Sequence, residues 1–174
     1  MSTTAAPAAG PPIAGSQPFI HGRDGAPAYW WQDMLWIILA HGDETGGRWS
    51  LVEQLLPQGA GTPPHKHVWS DETFYILDGE LTFLVGGEIR TARAGEFVNV
   101  PRNTPHGFRV DSGTARFLNG YTPPSLEAAV ANLAAPTTQR TLPPKGLTPP
   151  AMLTPEQFAR YGMEMVAGPN PLRP

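Results

Sequence analysis

Between residues 49 and 121 the chain is cut at short, regular intervals by turn chemistry, and this spacing limits the folds open to it. The apolar runs are "WSLVEQLL" (49–56), "TFYIL" (73–77), "LTFLV" (81–85), "EIRTA" (88–92), "FVNV" (97–100), "HGFRV" (106–110) and "ARFLNGY" (115–121). Between them stand "DG" at 78–79, "GG" at 86–87, "AGE" at 94–96, "PRN" at 101–103 and "DSG" at 111–113, all of which favour tight reversals. Strands so closely spaced pack as an antiparallel sandwich or barrel. The pattern does not repeat as a whole, so it predicts one barrel and not a tandem pair. A length of 174 residues fits one full core.

Glycine and proline divide the chain unevenly. The glycines sit at turn positions up to Tyr121, and prolines dominate after it. The reading is a disordered tail over residues 1–18, a barrel over 19–124 and a helical, proline-rich C-terminal arm over 125–174. In the arm, "SLEAAVANLA" predicts a short helix capped by Ser125. "TPEQFARYGMEMVAGP" predicts a second: Thr154 caps, Pro155 takes the first helical position, Gln157 completes a T-x-x-Q box and Gly168-Pro169 ends it. Phe158, Tyr161 and Met165 recur at helical spacing, so this helix needs a surface to cover, on its own barrel or on a second subunit.

Twelve basic against 15 acidic residues leave no basic stripe for nucleic acid or for an anionic membrane. The apolar run "MLWIIL" (34–39) is far short of the roughly 20 residues that cross a bilayer. The first residues lack the basic start and apolar segment of a secretory signal, and the expectation is a cytoplasmic protein. With no cysteine, any metal must be held by nitrogen and oxygen. The expected partner is a small molecule.

One stretch is at odds with a plain strand: "TPPHKHVWSDETFYILDGE", residues 62–80. His65 and His67 share a face by strand alternation, as do Glu72, Phe74 and Ile76. His67 and Glu72 are separated by an odd number of steps, so they meet only if "VWSD" forms a bulge or a loop. Asp71 has the parity an unbroken strand favours and is the competing acid. Glu72 is preferred, because its face continues into Phe74 and Ile76. His106 likewise begins an inward alternation with Phe108 and Val110.

These residues resemble the two motifs of the cupin superfamily. Gly59, His65, His67, Glu72 and Gly79 match the first; Gly95, Pro101 and His106 match the second, with Asn103 at a usual glycine and Val110 at a usual asparagine. Asn tolerates a left-handed backbone, so the turn survives the first change. The resemblance implies an all-β, antiparallel jelly-roll barrel with short C-terminal helices, and a homodimer paired through its sheets. It also implies four metal ligands, His65, His67, Glu72 and His106. Three imidazoles and a carboxylate suit one divalent transition-metal ion (iron, nickel, manganese, cobalt, copper or zinc) over calcium or magnesium.

Within the family, the "GGRWSLVEQLLP" strand and the proline-rich, helical C-terminus are similar to the quercetin 2,3-dioxygenase-like monocupins. That likeness implies a flavonol or related enol, deprotonated by Glu72 as catalytic base and cleaved by O2. Phe74, Phe83 and Phe108 are candidates for an aromatic substrate pocket or for ordinary core, and Trp69, between two ligands, is the tryptophan best placed for substrate. A metal-dependent isomerase or decarboxylase, or a non-catalytic binding cupin, stays open as an alternative.

Overall fold

The computed structural model describes residues 16–147 and 153–173. The expected tail over 1–18 therefore lies, for residues 1–15, outside the described residues. Ten strands make the barrel: β1 (Ala28–Trp31), β2 (Met34–Ala40), β3 (Ser50–Pro57), β4 (His65–His67), β5 (Asp71–Asp78), β6 (Glu80–Val85), β7 (Glu88–Arg93), β8 (Phe97–Val100), β9 (His106–Val110) and β10 (Thr114–Thr122). After it come α1 (Leu126–Leu133), β11 (Ala135–Thr137), α2 (Pro155–Ala159) and β12 (Met163–Met165). They form two antiparallel sheets, β11-β1-β2-β3-β10-β5-β8 and β12-β4-β9-β6-β7, facing each other as a jelly roll.

The turn residues act as their chemistry requires. Gly59, Gly79 and Gly95 all have positive φ, and a side chain at Gly79 would come within 2.5 Å of the Thr114 carbonyl. Asn103 takes the left-handed region (φ 63°) and its N–H donates to the His67 carbonyl at 2.7 Å. The second motif's turn is thereby tied to the strand that carries the first motif's histidines.

Inside the barrel, Phe74, Phe83, Phe108 and Phe117 meet largely edge to face, with ring centroids 5.1–5.7 Å apart, and pack with Leu56, Ile76 and Leu81. A second cluster, nearer the arm, joins Trp31, Trp36, Val52 and Tyr121 to Leu126, Val130, Leu153, Phe158 and Met163. Leu35 and Ile37 are buried on the opposite face of β2, with Ala26 and Ala28.

The arm departs from the sequence reading at its second helix. The Thr154 and Gln157 capping box is present, but α2 ends at Ala159. Gly162, at φ 72°, turns the backbone, and Met163–Met165 pairs as β12 with β4. Of the apolar face expected there, Phe158 is buried, Tyr161 is half-buried and Met165 is exposed. Ser125 precedes α1 as read, yet its side chain makes no capping bond.

Candidate metal centre

β4 is three residues long, and its alternation sends His65 and His67 into the barrel with Lys66 between them. The chain breaks at 68–70, as the parity of His67 and Glu72 required, and β5 restarts with Glu72 facing inward. Asp71 faces out, where Arg102 holds it through Nε and Nη2, each at 3.0 Å. β9 begins at His106, directly opposite His65. The ligand atoms of His65, His67, Glu72 and His106 lie within 4.8 Å of one another, and no residue of the four is more than 4% exposed.

Each imidazole has its Nδ1 tied to an acceptor. The Nδ1 of His65 donates to the Pro63 carbonyl at 2.9 Å and that of His106 to the Thr104 carbonyl at 2.8 Å. The Ser125 hydroxyl donates to the Tyr161 carbonyl at 2.8 Å and so offers a lone pair to His67 Nδ1, 3.5 Å away. An imidazole that keeps its proton on Nδ1 and is otherwise neutral has a bare Nε2 to offer a metal ion. The His106 Nε2 lies 2.7 Å from Glu72 Oε2, and the His67 Nε2 lies 3.2 Å from the same oxygen without making a hydrogen bond. Acceptors this close need a positive charge among them, which a proton or a metal ion supplies; the donor set fits a divalent transition metal.

The electrostatics follow from this crowding. Burial first, and then His106, push the His65 imidazole down to about 3. Burial raises the Glu72 carboxyl, but His67 and His106 more than offset it and hold the group well below the usual carboxylate range. Burial lowers His106, yet its bond to Glu72 leaves it above its ordinary value. Tyr121 is pushed well up by burial and by the charges of Glu72 and Glu127, so its phenol stays protonated.

Residues 52–121 match the Cupin domain family. That segment of the barrel, from β3 to β10, is similar to a cupin domain. Over 104 residues the chain is 32% identical to the quercetin 2,3-dioxygenase of Bacillus subtilis, a match covering 60% of this chain and 31% of that protein. Among solved structures, KdgF from Halomonas sp. superposes with a TM-score of 0.57 at 19% identity, over 65% of this chain and 99% of that one. An RmlC-like cupin from Shewanella frigidimarina gives 0.56 at 17% identity, over 63% and 94%. At these identities the structural likeness is one of fold.

Around this cluster, the Asn119 side-chain amide donates to Glu72 Oε1 at 3.0 Å and takes a hydrogen bond from Gln54 Nε2 at 3.1 Å. This supporting pair escaped the sequence reading; the signal was the polar Gln54 and Asn119 at inward positions of apolar strands. Phe74, Phe83 and Phe108 are placed in the packed floor of the barrel, closed upon one another. Trp69 is 52% exposed and lies against Gly162, outside the ligand cluster. Near the cluster, the space is a cavity of about 280 Å³ at the seam between the two sheets, lined by Trp31, Trp36, Pro63, Phe158, Met163 and Met165 among others.

Proposed function

We propose that this chain is a metal-dependent dioxygenase that cleaves a flavonol-like or other enol-bearing aromatic substrate with O2. The observation that carries the reading is the convergence of three Nδ1-anchored imidazoles on the Glu72 carboxylate in a water-poor interior. Resemblance to the Bacillus subtilis quercetin 2,3-dioxygenase supports the reaction class over the matched segment. His65, His67, His106 and Glu72 would hold one divalent transition-metal ion, which as a Lewis acid lowers the pKa of a chelating enol hydroxyl.

Glu72 is the base. Its Oε1 is held by Asn119, which leaves Oε2, on the side of the imidazoles, to take the proton. With a divalent ion bound, the positive charge beside Glu72 would hold it as the carboxylate, the form that can accept a proton, against the pull of burial toward the neutral acid. Tyr121, directly opposite Glu72 in the β10–β5 pair, stays a neutral phenol beside the carboxylate. The apolar walls limit competing hydrolysis.

The same reading has the chain acting in the cytoplasm, on the sequence alone, and pairing as a homodimer. The exposed Tyr75, Ile89 and Phe97 support pairing. No helix among the described residues is long and apolar enough to cross a membrane.

The test is oxygen consumption by metal-replete protein given quercetin and related enols, in parent and Glu72→Gln forms. Uptake that is largely lost in the variant at equal metal content is expected. Turnover of an enol without oxygen uptake would move the assignment to an isomerase or decarboxylase.

A further inference from the structure

The seam cavity is lined by β12, which pairs with β4, and by the segment just before β4. In the β12–β4 pair Met163 stands opposite His67 and Met165 opposite His65, and residues directly opposite in an antiparallel pair project to the same face. The two methionines are thus the immediate neighbours of two ligand imidazoles. Trp31 and Trp36 form the facing wall from the other sheet, and Phe158 of α2 closes the span between them. Met163 is buried and Met165 is 39% exposed, so the Met165 end is the one that meets solvent.

Among the described residues the lining carries no charged side chain, which leaves a small carboxylate or a sugar acid without a counter-ion there. It does hold two polar groups with no hydrogen-bond partner, the buried Trp36 Nε1 and Thr62 Oγ1. An indole N–H can only donate, so the missing partner is an acceptor. At about 280 Å³ the cavity lies near the lower bound of ligand pockets, roughly 300–1,000 Å³, and seats part of a ligand's ring system.

We infer that this cavity holds the ring system of a flat, uncharged aromatic substrate whose ring oxygen or hydroxyl meets Trp36 Nε1 and Thr62 Oγ1, while its chelating oxygens reach the histidines and Glu72. The inference rests on the dioxygenase reading for the chelating end. It adds that the C-terminal arm builds one wall of the site and selects against anions.

The experiment is calorimetric titration of metal-loaded protein, under nitrogen, with quercetin and with oxalate as a small anionic chelator. The parent, Trp36→Phe and Met165→Glu forms are compared, with metal content and circular dichroism measured on each. The expected result is that the parent binds quercetin and not oxalate. Trp36→Phe should bind several-fold more weakly, and Met165→Glu at least about tenfold more weakly, because it sets a carboxylate beside the rings. Metal content should hold in both variants; Met165 is exposed enough to change without unpacking the core. Quercetin binding unaffected by both substitutions, or oxalate bound as tightly as quercetin, overturns the inference. Binding that responds as expected without oxygen uptake on admitting air supports the cavity and overturns the dioxygenase. Uptake that neither substitution alters does the reverse.

Discussion

Asp71 and Glu72 are consecutive, yet they lie on opposite sides of β5. The first is clasped by the Arg102 guanidinium at the surface, and the second is sealed among three imidazoles. Strand alternation alone separates them, and it gives the two acids different chemistry.

Metal content should divide the two. His65→Ala and His106→Ala are expected to lose the ion, and Glu72→Gln to bind it more weakly. Asp71→Asn should retain about one ion per chain, since it removes only a surface contact. Elemental analysis of protein purified without chelators checks this. Loss in Asp71→Asn with retention in Glu72→Gln would reverse the assignment.

Ser125→Ala should leave the fold intact and lower metal affinity about 10–100-fold, because His67 loses the partner that fixes its Nδ1 proton. Competition with a chromophoric chelator gives the affinity. Unchanged affinity would make Ser125 a link to the Tyr161 carbonyl and nothing more.

Acid should destabilise the metal-free protein through a defined group. His65, at about 3 when folded and 6.5 otherwise, binds a proton in the unfolded chain but not in the folded one between those values. Stability therefore falls as the pH drops through that window. Glu72, depressed below 4.5, adds the same sign: its contribution is present above 4.5 and is lost as pH falls through its folded value. His106, raised above 6.5, opposes them, contributing fully below 6.5 and losing that contribution as pH rises through its folded value. Calorimetric melting across pH should show an acid limb that flattens in His65→Gln.

Phe117→Ala removes one of four interlocked rings at a fully buried position and should cost about 3–5 kcal/mol of unfolding free energy. Denaturant melts measure it. A cost under about 1 kcal/mol would mean that the floor repacks freely.

A chain ended after Leu133 loses β11, α2 and β12, and with them the cover of β4 and β1. It should melt lower and bind metal less tightly than the full chain. Light scattering on both forms tests the homodimer, which the full chain is expected to form.

The turn residues between 78 and 113 marked most of the barrel, and Gly79, Gly86, Gly87, Gly95 and Asn103 among them take a positive φ that helices do not use. The four clustered residues were legible through motif spacing, and the bulge parity correctly required the break at 68–70. β2 was harder to read: "MLWIIL" shows no alternation, since Leu35 and Ile37 are buried on one face while Trp36 and Ile38 are buried on the other. β12 could not be read locally. Its register with β4 spans about a hundred residues, and the periodicity of Phe158, Tyr161 and Met165 imitated a helix that Gly162 ends. The cavity wall was hidden for the same reason, being assembled from β1, β2 and the arm.

β11 and β12 are each three residues long, with Pro136 at the centre of one and Glu164, paired to Lys66, at the centre of the other. A proline has no N–H to extend a ladder, and a charged residue on a short edge discourages a newcomer. On the arm side, then, both sheets end in strands unsuited to recruiting another. The opposite borders, β7 and β8, are ordinary edges of six and four residues. Any strand from outside, whether from a second copy or from a misfolded neighbour, is steered toward that far border and away from the histidines.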